Sequence, residues 1–135
     1  MKVVLDTNTL VSAIGWAGPP RIVLLALRHG RHQFVTTAEL LAELERVLQY
    51  PKLAPLRAHP ALPEILSWLY RPEHLVIPQQ RLYVIQDDPA DNRVLEAAVA
   101  GRAGAIVSGD HHLLRLGSYG GIEIMTAQDF CAKHL

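Results

Sequence analysis

The hydrophobic positions fall into short β-branched runs separated by stretches of helical period. Lys2–Leu5 (KVVL) is a compact apolar run that stops at Asp6 and predicts a buried strand. Thr7–Trp16 predicts a helix, with Gly15, Gly18, Pro19 and Pro20 as its breakers. Over Arg21–His29, Ile22, Leu25, Ala26 and His29 recur at helical spacing, and Gly30 marks the stop. Gln33–Val35 (QFV) predicts a second strand. Thr36 then offers an N-cap, and Glu39 three residues later completes a capping-box pattern. That helix carries Leu40, Leu41, Leu44, Val47 and Leu48 and ends at Pro51.

The second half repeats the alternation. A helix is expected over Ala61–Tyr70, then short extended segments at His74–Ile77 and Leu82–Ile85, and a loop at Asp87–Ala90. Asp91 opens a helix bearing Val94, Leu95, Ala98 and Val99, stopped by Gly101 and Gly104. Ala105–Val107 (AIV) is a further buried strand, running into Ser108, Gly109 and Asp110. A short helix at His111–Leu116, a last strand at Ile122–Met125 and a helix capped by Thr126 complete the chain. Strands alternating with helices predict an α/β fold whose parallel sheet is covered on both faces. With no internal repeat or linker, residues 1–135 are expected to form a single domain.

Composition narrows the class. Half the 135 residues are hydrophobic, enough for a core without covalent staples. The lone cysteine, Cys131, excludes an intramolecular disulfide and suits a reducing compartment. The opening MKVVLDTNTL has too short an apolar run for a signal peptide, and no segment reaches the roughly 18 apolar residues of a membrane span. A cytoplasmic location is the expectation. Net charge is zero, from 13 basic and 13 acidic residues, so no overall basic footprint announces a nucleic-acid partner.

The candidate chemistry is carboxylate chemistry. In open α/β sheets, ligands gather beyond the carboxyl ends of the strands. Two buried strands end in aspartate, at Asp6 and Asp110. Either alone reads as a helix cap; two such endings point to a shared site. Glu43 borders the apolar face of its helix beside Leu40 and Val47, Glu45 borders the opposite flank, and Glu39 points further out, so spacing leaves Glu43 and Glu45 both open. Asp91, three and four residues before Val94 and Leu95, falls on the buried side of a helix start. Glu96 is expected at the surface, and Asp87 and Asp88 as solvated turn residues. Carboxylates a few ångströms apart need protons or cations to offset them, and oxygen-only donors suit hard cations such as Mg²⁺ or Mn²⁺. His111 and His112, being adjacent, are not expected to face one ligand. The chain has no cysteine pair, no phosphate-binding loop and no nucleophile elbow.

Three stretches carry a family resemblance. VVLDTNTLVSA resembles the opening of PIN domains. TTAELLAELERVL resembles their second motif, where the glutamate of an Ala-Glu-Leu step is a ligand. Here that is Glu43, with Glu39 of the earlier Ala38–Leu40 step as the rival alignment. DDPADNRVLEAAVAGRAGAIVSGDHHLL is similar to the third and fourth motifs of the VapC-like branch, described as toxin components of type II toxin–antitoxin systems. The resemblance implies a three-layer α/β/α fold with a small central parallel sheet and acids at its C-terminal edge. It implies Mg²⁺- or Mn²⁺-dependent cleavage of single-stranded RNA, leaving a 5′-phosphate and a 3′-hydroxyl. Asp6, Glu43, Asp91 and Asp110 would be catalytic and metal-binding residues, supported by Asn8 and Ser108. A homodimer and an antitoxin protein would be its partners. A non-catalytic module that binds RNA or a protein is the main alternative. A phosphotransfer protein fits less well, since no lysine follows a late strand, and a flap-type DNA nuclease is normally longer.

Overall fold

A computed structural model describes residues 1–135. In chain order the regular elements are β1 (Lys2–Leu5), α1 (Thr7–Gly15), α2 (Pro19–Arg28), β2 (Gln33–Val35), α3 (Ala38–Leu48), α4 (Ala54–Arg57), α5 (Leu62–Leu69), α6 (Asn92–Gly101), β3 (Ala105–Val107), α7 (His111–Leu114), β4 (Ser118–Tyr119), β5 (Ile122–Met125) and α8 (Ala127–His134). The sheet runs β2-β1-β3-β5-β4. Its first four strands are parallel, and β4 is an antiparallel edge. β1 and β3 are therefore central neighbours, in register Val3 to Ala105, Val4 to Ile106 and Leu5 to Val107.

Side chains alternate across a strand, so the two faces build two cores. Val3, Leu5, Phe34, Ala105, Val107 and Met125 face helices α1, α2, α3, α5 and α8. Val4, Val35, Ile106, Ile122 and Ile124 face α6, α7 and the 82–85 segment. The result is the three-layer α/β/α arrangement. Burying a side chain such as Leu95 or Leu41, both without exposed surface, contributes about 2 kcal/mol each. No single helix is long and apolar enough to cross a membrane; α1 and α2 meet at 93°.

The structure refines several expected boundaries. Pro19 and Pro20 begin α2 rather than merely breaking α1, because proline is preorganised for a first helical turn whose N–H groups are unpaired. The buried stripe of α2 is Val23, Leu24, Ala26 and Leu27, while Ile22 and Leu25 are exposed. The cap of α3 is Thr37, whose side chain accepts from the Leu40 amide at 3.1 Å, so the expected Thr36–Glu39 capping box does not form. Thr36 instead joins Leu75 in a single parallel bridge beside β2. That bridge is the only sheet pairing in 74–77, and 82–85 has none. Gly101 is the last residue of α6, and Arg102 takes the left-handed conformation (φ 53°). A Cβ at Gly101 would stand 2.4 Å from Val35 Cγ1, so glycine lets the helix end press on β2.

The segment between α5 and α6 is fastened by side chains instead of a ladder. Asn92 accepts from the Ile85 amide at 2.8 Å and donates to its carbonyl at 2.7 Å and to that of Pro89 at 3.1 Å. Glu96, expected at the surface, is buried. Its carboxylate accepts from the Leu82 amide at 2.7 Å and pairs with Arg93 at 2.9 Å and Arg81 at 3.2 Å. A carboxylate tolerates such burial when hydrogen bonds and opposite charge replace water.

Candidate metal centre

The parallel strands aim their carboxyl ends at one cleft. Asp6 follows β1 in extended conformation and caps α1, its Oδ1 accepting from the Thr9 amide at 2.9 Å. Its Oδ2 accepts the Ser108 hydroxyl in a short hydrogen bond. Ser108, immediately after β3, also accepts the Asp110 amide at 2.9 Å. One serine thus ties together the two strand-end aspartates. Asp110 caps α7, with Oδ1 accepting from the His112 amide at 2.8 Å.

Asp91 comes from the other side. It ends a 3-10 turn, Pro89–Asp91, at the position where a cap for α6 would stand, yet its side chain makes no capping bond. Its Oδ2 is buried without any hydrogen-bond partner. The helix-cap reading of this residue is thereby removed.

A small cleft of about 90 Å³ is lined by Asp6, Thr7, Asn8, Glu43, Asp88, Ala90, Asp91, Val94 and Asp110. No lysine or arginine lines it. Glu43 reaches it from α3. Its rivals point elsewhere: Glu39 pairs with Arg81 at 3.1 Å, and Glu45 accepts a short hydrogen bond from the Tyr70 hydroxyl. Asn8 lines the mouth, exposed and unbonded.

Two residues not expected here belong to the cluster. Ligand atoms of Asp88, Asp91, Asp110 and His112 all lie within 4.8 Å of one another. Asp88 immediately precedes the 3-10 turn and Asp91 ends it, and residues three apart in such a turn eclipse; that spacing was the available signal. His112 is held beside Asp110 by its own amide, which donates to Asp110 Oδ1 at 2.8 Å.

Crowding and burial raise the proton affinity of the acids. Burial is the main force lifting Asp6 above the usual carboxylate range; bonds from Ser108 and Thr9 oppose it, and the Asp110 charge adds to it. Asp91 is pushed up to about 7, first by burial, then by the charges of Asp110 and Asp88. The donor set fits a divalent cation: oxygen-rich, negatively charged, without a basic side chain among its lining, and with one buried oxygen that nothing satisfies.

The model of the PIN domain matches residues 2–112. The chain belongs to the PIN-domain family. No curated protein and no solved structure gave a match. PIN domains are generally nucleases that use divalent metals, and the carboxylate cluster lies inside the matched region.

The largest cleft, about 760 Å³, lies beside the starts of β1 and β2, lined by Lys2, Gln33, Trp68, Arg71 and Arg102 among others. It contains a single carboxylate, Glu73. Several arginines are tied to the fold by their own hydrogen bonds. Arg21 donates to the Ala13 and Ile14 carbonyls, Arg57 to those of Leu48 and Tyr50, and Arg31 to that of Leu135. Arg28 lies over Trp68 and pairs with Glu64. Lys52 is exposed.

Proposed function

We propose that the protein is a metal-dependent endoribonuclease acting on single-stranded RNA, formed as one PIN domain over residues 1–135. The observation that supports it most is the meeting of Asp6, Glu43, Asp91 and Asp110 in a cleft lined by no lysine or arginine, where Asp91 Oδ2 is buried and unsatisfied. Mg²⁺ or Mn²⁺ held there would offset the carboxylates, polarise the scissile phosphate and activate water for attack.

The chain's own residues divide the remaining work. Asp6 and Asp110 are held in place from several directions, by Thr9, Ser108 and the His112 amide, and serve as the rigid ligands. Asp91 completes the ligand set from the opposite wall. Glu43, on α3, faces them and orients the attacking water. Asn8 at the mouth offers its amide to a phosphate oxygen, and Ser108 keeps the two strand-end acids at fixed separation. Attack at phosphorus with departure of the ribose 3′-oxygen leaves a 5′-phosphate and a 3′-hydroxyl.

Membership of a type II toxin–antitoxin pair belongs to the same proposal. A cleft of carboxylates lined by no lysine or arginine suits silencing by a basic side chain supplied by an antitoxin. A homodimer would cover part of the exposed Trp16, Ile22 and Leu25 surface.

The test is cleavage of a mixed single-stranded RNA pool with Mn²⁺, with Mg²⁺ and with chelator, beside Asp6→Asn and Asp110→Asn. Cation-dependent cleavage lost in both variants supports the reading. Absence of both cleavage and cation binding in the unaltered protein moves it to a non-catalytic module, which the zero net charge would suit.

A further inference from the structure

Beside the carboxylates stands one imidazole that does not itself line the cleft. His112 Nδ1 is buried and has no hydrogen-bond partner, although it stands 3.3 Å from Asp110 Oδ1 and 3.9 Å from Asp91 Oδ2. Asp91, with 9% of its surface exposed, directs its own unsatisfied Oδ2 at the same point. Buried polar atoms are almost always satisfied, and two orphaned ligand atoms facing each other call for an occupant between them. Asp88 and Asp110 supply further oxygens within the same 4.8 Å. Metal–ligand bonds of about 2.1 Å place neighbouring donor atoms roughly 3 Å apart and opposite ones roughly 4 Å apart, so this spacing suits a single ion.

We propose that Asp88, Asp91, Asp110 and His112 form a mixed nitrogen–oxygen site for a first-row transition cation, with His112 as a ligand through Nδ1. The site rests on the nuclease reading and adds to it a cation preference that the four acids alone would not give. Mg²⁺ takes oxygen ligands and keeps its water, whereas an imidazole nitrogen favours Mn²⁺, Fe²⁺ or Co²⁺ increasingly along the row. The neutral imidazole carries its proton on Nε2 and leaves the Nδ1 lone pair for the ion. Asp110 is common to this site and to the cleft wall that it forms with Asp6.

The experiment is pulsed electron paramagnetic resonance of Mn²⁺ bound to the full chain, with Mn²⁺ and Mg²⁺ affinities measured on the unaltered protein and on His112→Gln. The expected result is a nitrogen coupling in the unaltered protein that vanishes in His112→Gln. That variant should lose about tenfold or more in Mn²⁺ affinity and little in Mg²⁺ affinity. Bound Mn²⁺ without nitrogen coupling overturns the proposal and makes His112 a neighbour of the carboxylates rather than a ligand. The spectrum of the unaltered protein decides this even if the variant folds poorly. RNA cleavage without nitrogen coupling sinks this site and spares the nuclease reading; nitrogen coupling without any RNA cleavage does the reverse.

Discussion

Asn92 holds the peptide of Ile85 from both sides, its Oδ1 accepting from the amide at 2.8 Å and its Nδ2 donating to the carbonyl at 2.7 Å. This pair joins the irregular 82–91 segment to α6, and the same segment carries Asp88 and Asp91 into the cleft. Asn92→Ala strands two buried backbone groups and should cost about 2–3 kcal/mol in urea unfolding. Mn²⁺ affinity should fall as well, measured by calorimetry. Weakened stability with unchanged affinity would mean that the segment is placed without this clamp.

Glu96 fixes the other end of the segment. Removing its carboxylate leaves the Leu82 amide unpaired and Arg93 partly so. Glu96→Ala is expected to destabilise by about 3 kcal/mol, as loss of one partner of a buried pair does. An effect below about 0.5 kcal/mol in the same urea titration would show that water replaces these bonds freely.

Asp6→Asn should abolish cation-dependent cleavage while preserving or raising the thermal midpoint. Asparagine is a good helix cap and still accepts from the Thr9 amide. Its amide can donate to Ser108 Oγ, and the burial penalty on a charge disappears. Differential scanning calorimetry beside the RNA assay checks both halves; a midpoint drop of many degrees would contradict them.

Stability without cation should fall as pH rises. The folded state raises Asp91 from 3.8 to about 7, so it holds a proton that the unfolded chain releases between those values. Asp6 is shifted in the same direction. The resulting stabilisation is complete below about pH 4 and gone above about pH 7. The thermal midpoint should be lower at pH 8 than at pH 5. Asp91→Asn should flatten that slope, and Mn²⁺ should restore the pH 8 midpoint by offsetting the carboxylate charge that the lost proton no longer neutralises. An unaltered slope in Asp91→Asn would assign the dependence to other groups.

Glu43→Gln and Glu39→Gln separate two glutamates that sequence alone offers as rivals. The first should lower cleavage at least about tenfold, the second should leave it unchanged, because Glu39 is engaged by Arg81 outside the cleft. Equal loss in both would indicate that α3 sits differently when RNA is bound.

The strand-end aspartates were legible because a carboxylate directly after a buried β-branched run has no packing role, and a parallel sheet aims such residues at one edge. The choice of Glu43 over Glu45 was not, since helical periodicity gives a face but not its neighbours; the Tyr70 hydroxyl that engages Glu45 comes from 25 residues away. Asp88 was hidden by its loop, as the turn that lifts it depends on Pro89–Asp91 winding as 3-10. Glu96 was misplaced for a related reason. The segment that covers it has no period of its own, and only Arg81, Leu82 and Arg93 make its burial tolerable. Likewise the phase of α2 depended on packing partners: Ile22 and Leu25 are spaced as well as Val23 and Leu24, but only the latter pair faces the sheet.

The strand order has a consequence for how the protein comes into being. β1 is translated well before its central neighbour β3, which follows only after α6, and Asp6 meets Ser108 from 102 positions further along the chain. Until then the nascent chain has one strand-end acid and no cluster, since the other walls of the cleft have yet to be translated. If the cleft cuts RNA, the chain stays harmless to its own message until Asp91 and Asp110 have both been translated.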